Sequence, residues 1–394
     1  MKIALALSGG GFRATVFHLG VLARLAEQDL LEKVTFLSTV SGGSLCIGLV
    51  HAKNDFSWPT SDEYIQKVLP AARTILTTYD LQKSMIFRIL GTFWTILETR
   101  ADDLSDLMRR NWGITANLED LPENPRWMIN ATCYETGKNW RFERFRMGDY
   151  LFGYTYDTHE YSLSDAMAAS AGFPGLIGPM VIKSGQYSWF KYLEGSEREL
   201  AIEVPETQLQ RETEPTQPAF SEAHLWDGGA YDNHGLEGLY DFNTGWRKNI
   251  EFLIVSDATG RSKPEAYQWG PKALLRLATG VMMDQIRSLR TRSVLERMVV
   301  HEDKGSFLRT GNTCEYVLSR ADKEDEIPAL CPDCLSKEEA ISAAEMETTI
   351  KQLSAAEFER LFRHGFEVAD YTMYAYHPRE FPYIGYKHSR WGST

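Results

Sequence analysis

The chain has 394 residues, of which 43% are hydrophobic, 24% charged and 12% aromatic; this balance excludes a fibrous or wholly disordered polypeptide. Its formal net charge of −12 excludes a global basic footprint, so no nucleic-acid partner is expected and any anionic membrane must be met by a local patch. The cysteines Cys46, Cys133, Cys314, Cys331 and Cys334 are odd in number and scattered, which does not read as a secreted disulfide framework and fits a reducing cytoplasm.

Met1 to Leu7 is too short an apolar run for a signal peptide and reads as a first buried strand leading into a glycine motif. Ala14 to Glu27 carries Val16, Leu19, Leu22 and Leu25 near helical spacing, and Val34 to Val40 is a short run rich in β-formers. A second helix is expected from Gly42 and Gly43 through Leu49, so the chain opens as the alternating pattern of a layered α/β sheet. Further strands are readable at Trp127 to Thr132 and Phe252 to Val255.

Between these elements lie a helical region from about Ser61 to Trp112, an insertion around Ser184 to Pro218 and a charged segment from His301 to Ala340, all expected as decoration on the sheet. Met85 to Leu97 is apolar almost all round but shorter than the roughly 18 residues of a spanning helix; it reads as a buried packing helix or as a lid that touches a membrane. Ala273 to Met298 carries Arg276, Arg287, Arg290, Arg292 and Arg297, which face water or lipid headgroups. Ala344 to Ala369 places Met346, Ile350, Leu353, Phe358, Leu361 and Phe362 on one face and predicts a closing helix. Cys331-Pro332-Asp333-Cys334 has metal-knuckle spacing, with Cys314 and His301 as further zinc ligands; the alternative is free thiols in a surface loop.

Three segments carry chemistry. Ser38-Thr39-Val40-Ser41-Gly42-Gly43 follows a strand and precedes a helix, the context of a nucleophile elbow, in which Ser41 is the nucleophile and Gly43 leaves room in a strained turn. Read blandly, Ser41 is a helix cap. Ser8-Gly9-Gly10-Gly11-Phe12-Arg13 joins the first strand to the first helix, so its amides can converge on an anion, either a phosphate or an acyl oxyanion. Arg13 either holds this loop in shape or meets a substrate phosphate. Leu225-Trp226-Asp227-Gly228-Gly229 ends an apolar stretch with a carboxylate able to act as general base, while Gly228 and Gly229 let the backbone approach closely; otherwise it is a plain turn.

Taken in order, Gly9-Gly10-Gly11-Phe12-Arg13, Thr39-Val40-Ser41-Gly42-Gly43 and Asp227-Gly228-Gly229 resemble the motif set of the patatin-like phospholipases. Ala168-Ala169-Ser170-Ala171-Gly172-Phe173-Pro174 is similar to the family's small-residue segment ahead of the aspartate, and Phe17 to Leu22 to its first helix. The chain departs from the pattern at Thr39, where the elbow usually has glycine, and at Ala14. The resemblance implies a three-layer α/β/α sandwich with a central mostly parallel sheet, bearing helical and loop insertions. It also implies a Ser41/Asp227 dyad working without histidine, metal or other cofactor, an oxyanion hole at Gly9, Gly10 and Gly11, and a phospholipid or other acyl-lipid substrate.

On this reading residues 1–300 form the catalytic domain, with insertions at about 61–112 and 184–218. Residues 301–343 are a charged cysteine-containing insertion, and 344–394 close the same domain. A cytoplasmic enzyme, soluble or peripheral on the membrane, is expected. Two other functions remain open: a general esterase or thioesterase that recruits His234 or His364 into a triad, and a non-catalytic lipid-binding or regulatory module whose elbow has lapsed at Thr39.

Overall fold

A computed structural model describes residues 1–85, 100–174, 177–193, 213–247, 250–260, 264–301 and 304–391. Most of the apolar run Met85 to Leu97 and the middle of the insertion at 184–218 lie outside them.

The N-terminal residues alternate as expected: β1 (Ile3–Leu7), α1 (Gly11–Ala26), β2 (Val34–Val40) and α2 (Gly42–Ala52). Next come β3 (Arg126–Cys133), β4 (Lys138–Glu143), β5 (Arg146–Asp149), β6 (Gly153–Thr155) and α3 (Leu163–Ser170). They are followed by β7 (Met180–Lys183), β8 (Trp189–Tyr192), β9 (Thr213–Thr216), β10 (Glu222–Asp227) and β11 (Phe252–Asp257). The last elements used below are α4 (Met283–Val300), β12 (Gly305–Arg309), α5 (Cys314–Arg320) and α6 (Ala355–Tyr376).

Among the described residues one twelve-stranded sheet runs β12-β11-β1-β2-β3-β4-β5-β6-β8-β9, with β10 bridging β3 and β7. Its first five strands are parallel, and beyond β3 the pairing turns antiparallel. Side chains alternate across the central strands. Ile3, Leu5, Leu7, Phe252 and Ile254 join the larger core beneath α1, α2, α3 and α6, whereas Ala4, Ala6, Leu253 and Val255 meet Leu236, Tyr240 and Val294 of α4 on the other face. The fold is an α/β sandwich with helices on both faces of a mixed sheet.

Helix α1 is buried along its whole length, which requires α6 to lie against it without a gap. Glycines make the contact: a Cβ at Gly20 would stand 2.0 Å from the Phe362 carbonyl, and one at Gly365 would stand 1.9 Å from that of Phe17. Arg24, fully buried in the same seam, pairs with Asp370 and donates to the Pro382 carbonyl at 2.8 Å. Ser354 and Glu357 form a reciprocal cap that starts α6.

Three expectations change. The closing helix begins at Ala355 rather than Ala344, because residues 345–354 form an extended strap that runs back over the glycine loop, where Thr349 O accepts the Phe12 N–H at 2.9 Å. The charged segment is more than decoration, since β12 extends the parallel sheet beside β11. Cys314 and Cys331 form a disulfide, so neither is a zinc ligand or a free thiol. Cys334 stays reduced beside the Tyr383 hydroxyl, and no group of metal-ligating side chains occurs among the described residues.

Candidate active site

Ser41 is the hinge between β2 and α2, with φ 50° and ψ −115°. A side chain is rarely held at positive φ unless its surroundings fix it there. Here they do, because a Cβ at Gly43 would lie 2.4 Å from the Leu7 carbonyl and one at Gly42 2.4 Å from that of Gly11. The turn is thus pressed onto the end of β1 and the glycine loop.

Thr39, the departure from the usual elbow, is fully buried and has work of its own. Its hydroxyl accepts from Trp127 Nε1 at 2.9 Å and bonds Ser44 Oγ at 2.8 Å. Ser44 bonds Ser170 Oγ at 2.8 Å, and Ser170 donates to the Asn130 carbonyl at 2.7 Å while accepting the Ser41 N–H at 3.0 Å. A relay of hydroxyls therefore ties the strained residue to α3 and β3. A glycine at 39 could not supply it.

Asp227 reaches Ser41 through strand register. β2 ends at Val40 opposite Asn130, and β10 ends at Asp227 opposite Ala131. Since β4 occupies the other edge of β3 at these positions, β2 and β10 meet head-on along one edge, which brings Ser41, just past the end of β2, beside Asp227. Gly228 permits this, for a Cβ there would be 2.5 Å from the Asn130 carbonyl. The Gly229 N–H donates to Asp227 Oδ1 at 2.7 Å. The small-residue segment holds the other side: Gly172 O accepts the Asp227 N–H at 3.1 Å and Ser170 O that of Gly228 at 3.3 Å. Burial pushes the Asp227 carboxyl up to about 6, opposed by the hydrogen bonds from Gly229 and the Ser41 side chain.

The glycine loop is held from below. His18, uncharged because burial lowers its pKa to about 4, bridges the Ser8 carbonyl and Ser256 Oγ at 2.9 Å each. Arg13 is nearly buried; its guanidinium donates to the Ala258 carbonyl at 3.2 Å and to that of Met346 at 2.5 Å, so it clamps the loop to β11 and the strap. Of the three expected oxyanion donors, Gly9 is corrected: its N–H donates to Asn233 O at 3.2 Å. What Gly9 contributes is room, since a Cβ would sit 3.1 Å from that of Ser41. Gly10 and Gly11 adopt φ 143° and 61° at the start of α1, and neither amide has a protein acceptor among the described residues.

Gly9, Gly10, Gly11, Ser41 and Asp227 all line one cavity of about 610 Å³, a size suited to an organic ligand. Its other wall comprises Leu45, Phe173 and Ile177, the strap residues Met346 to Ile350, and Arg276, Thr279, Gly280 and Met283. No described lining residue is a histidine. His234 is buried 3.5 Å from Asp257, and His364 is buried where its Nε2 accepts the Gly311 N–H at 2.8 Å, so neither completes a triad. Three of the arginines of α4 have protein partners: Arg287 pairs with Asp284 at 2.9 Å, Arg290 lies 3.3 Å from Glu237, and Arg297 donates to the Thr244 carbonyl at 3.2 Å.

Sequence reasoning gave no role to Ser170, Asn130, Asn233 or His18. Only Ser170 left a trace, as the polar residue within Ala168 to Gly172.

An elbow serine beside a buried carboxylate, on an α/β sheet, marks the class of serine acyl hydrolases. More narrowly, the chain belongs to the patatin-like phospholipase family, a serine hydrolase family whose model matches residues 5–240. It is 46% identical over 52 residues to mouse cytosolic phospholipase A2 gamma, a match covering 13% of this chain and 9% of that protein. Among solved structures it is similar to human GIVD cytosolic phospholipase A2 (12% identity, TM-score 0.49, 94% of this chain and 58% of that one). It is also similar to VipD from Legionella pneumophila (12% identity, TM-score 0.31, 94% and 67%). The chain thus spans less than two thirds of the human protein's chain and matches 9% of the mouse protein.

Proposed function

We propose that the protein hydrolyses fatty acyl esters of phospholipids or lysophospholipids with Ser41 as nucleophile and Asp227 as the single general base. The observation that carries this is the head-on meeting of β2 and β10 on β3, which presents Ser41 to a buried carboxylate. With a pKa near 6, Asp227 is ionised at neutral pH yet more basic than an exposed aspartate.

Ser41 Oγ attacks the acyl carbonyl as its proton passes to Asp227. The Gly10 and Gly11 amides hold the oxyanion, each such donor being worth about 3 to 4 kcal/mol. Collapse releases the alcohol, which takes the proton from Asp227, and leaves acyl-Ser41. Water then gives a proton to Asp227 and attacks the acyl group; the fatty acid leaves and Ser41 recovers its proton. The buried positions of His234 and His364 weigh against a triad, and the structural engagement of Thr39 weighs against a lapsed elbow. No helix among the described residues is long and apolar enough to cross a membrane, and we infer peripheral action on a lipid surface.

The test is fatty-acid release from mixed phospholipid vesicles and from a short soluble ester. Ser41→Ala should lower kcat by about 10⁴-fold or more, and Asp227→Asn by a comparable factor. Turnover surviving in Ser41→Ala would overturn the mechanism; turnover of the soluble ester alone would replace the phospholipase with a general esterase.

A further inference from the structure

Pro271–Leu275, Arg276–Met282 and α4 follow one another as a continuous helical run. Its first twelve residues, none of them buried, are built inside out. Arg276, Thr279 and Gly280 line the active-site cavity, while the large apolar side chains point to solvent: Leu274 is 70% exposed, Leu277 51%, Val281 52% and Met282 60%. Just upstream, Tyr267 and Trp269 are 75% and 82% exposed, their rings packed edge to face at 4.9 Å. A helix that turns its apolar side outward gains nothing from folding alone, and a patch of this kind marks an interaction surface.

Three features select the occupant. The same helical turns form one wall of the active-site cavity, so whatever covers the patch lies at the substrate's entrance. Trp and Tyr, apolar bodies with a polar tip, are suited to the headgroup level of a bilayer. Finally, residues 266–283 contain Lys272 and Arg276 and no acidic residue, in a chain with 54 acidic residues out of 394, so the patch escapes the charge that would repel a phospholipid surface.

We propose that Tyr267, Trp269, Leu274, Leu277, Val281 and Met282 dock the protein on a phospholipid bilayer, seating the mouth of the Ser41 cavity against the membrane. This rests on the lipid-hydrolase reading for its purpose, though not for its test. Arg276 stays on the cavity side, bonded to Glu265 at 2.9 Å.

Binding is measured with the full chain carrying Ser41→Ala, so that no lipid is consumed, by flotation with phosphatidylcholine vesicles. Adding Trp269→Ser, Leu274→Ser, Leu277→Ser and Val281→Ser should weaken partitioning by on the order of 100-fold, since four large apolar groups lose their transfer into the interface. A second reading needs no polar variant: brominated phosphatidylcholine should quench emission that disappears in Trp269→Phe. Partitioning unchanged by the four substitutions, or no quenching of Trp269, overturns the proposal. A concentration-dependent dimer that the substitutions dissolve while vesicle binding persists would assign the face to a second copy and also overturn it. If the patch governs partitioning but the unmutated protein releases no fatty acid from any lipid, the docking surface stands and the proposed function falls.

Discussion

Two helical walls close on the same cavity and could hardly be built more differently. All of α1 is buried, including Arg13, His18 and Arg24, and each of these three has assigned partners. The run from Pro271 to Met282 has no buried residue at all. On the proposed function, hydrolysis needs donors that stay in place as charge develops, and the glycine loop is anchored to a helix that cannot shift without breaking a core. On the proposed docking, substrate entry needs the opposite, a surface free to exchange water for lipid.

The contrast is sharpest in a matched pair of truncations. Leu22→Ala in α1 removes a fully buried side chain and should lower unfolding free energy by about 2 to 5 kcal/mol in a denaturant titration. Equal stability of this variant and the unmutated protein would break the comparison.

Asp227 probes the rigid side through pH. Its folded-state pKa of about 6 stands above the ordinary aspartate value of 3.8, so the protonated form is the one that folding favours. The associated stability is present in full below about pH 3.8 and is lost as pH rises through about 6. Asp227→Asn, which carries no charge to bury, should therefore melt higher than the unmutated protein at pH 7.5, by a margin worth up to about 3 kcal/mol, and the gap should close below about pH 4. Soluble-ester turnover should run the other way, rising with pH to half its plateau near pH 6; an acid-side limb centred near pH 4 would remove Asp227 as the base.

The smallest effect belongs to the exposed wall. Leu277→Ala should change unfolding free energy by no more than about 0.5 kcal/mol and leave soluble-ester turnover unchanged. A loss approaching that of Leu22→Ala would mean that this helix is core after all.

The first α/β unit, the strained turn at Ser41 and the carboxylate at Asp227 were legible because each is local: a short apolar run, a glycine-flanked serine, an acid before two glycines. What joins them was not. That β10 inserts antiparallel beyond the end of β2 depends on pairing with β3, a contact distant in sequence for which periodicity offers no signal. Gly9 looked identical to its neighbours, yet Asn233, over 200 residues away, takes its amide. Cys331 and Cys334 showed metal-knuckle spacing, yet Cys331 bonds instead to Cys314, a pairing that spacing alone does not signal. The arginines from Ala273 to Met298 drew notice in the sequence and the leucines among them did not, because the usual assumption that apolar means inside fails here.

The shared edge of β3 ties the placement of Ser41 and Asp227 to strand register. Val40, the residue before Ser41, and Asp227 pair with the adjacent β3 residues Asn130 and Ala131, so a slip of register would move one relative to the other by a whole residue, about 3.3 Å. Side-chain substitutions elsewhere can reshape the cavity and leave that register intact, whereas a single-residue insertion in β3 or β10 would carry the carboxylate out of reach in one move. The proposed pair is thus inherited with the strand register, while the rest of the pocket is free to drift.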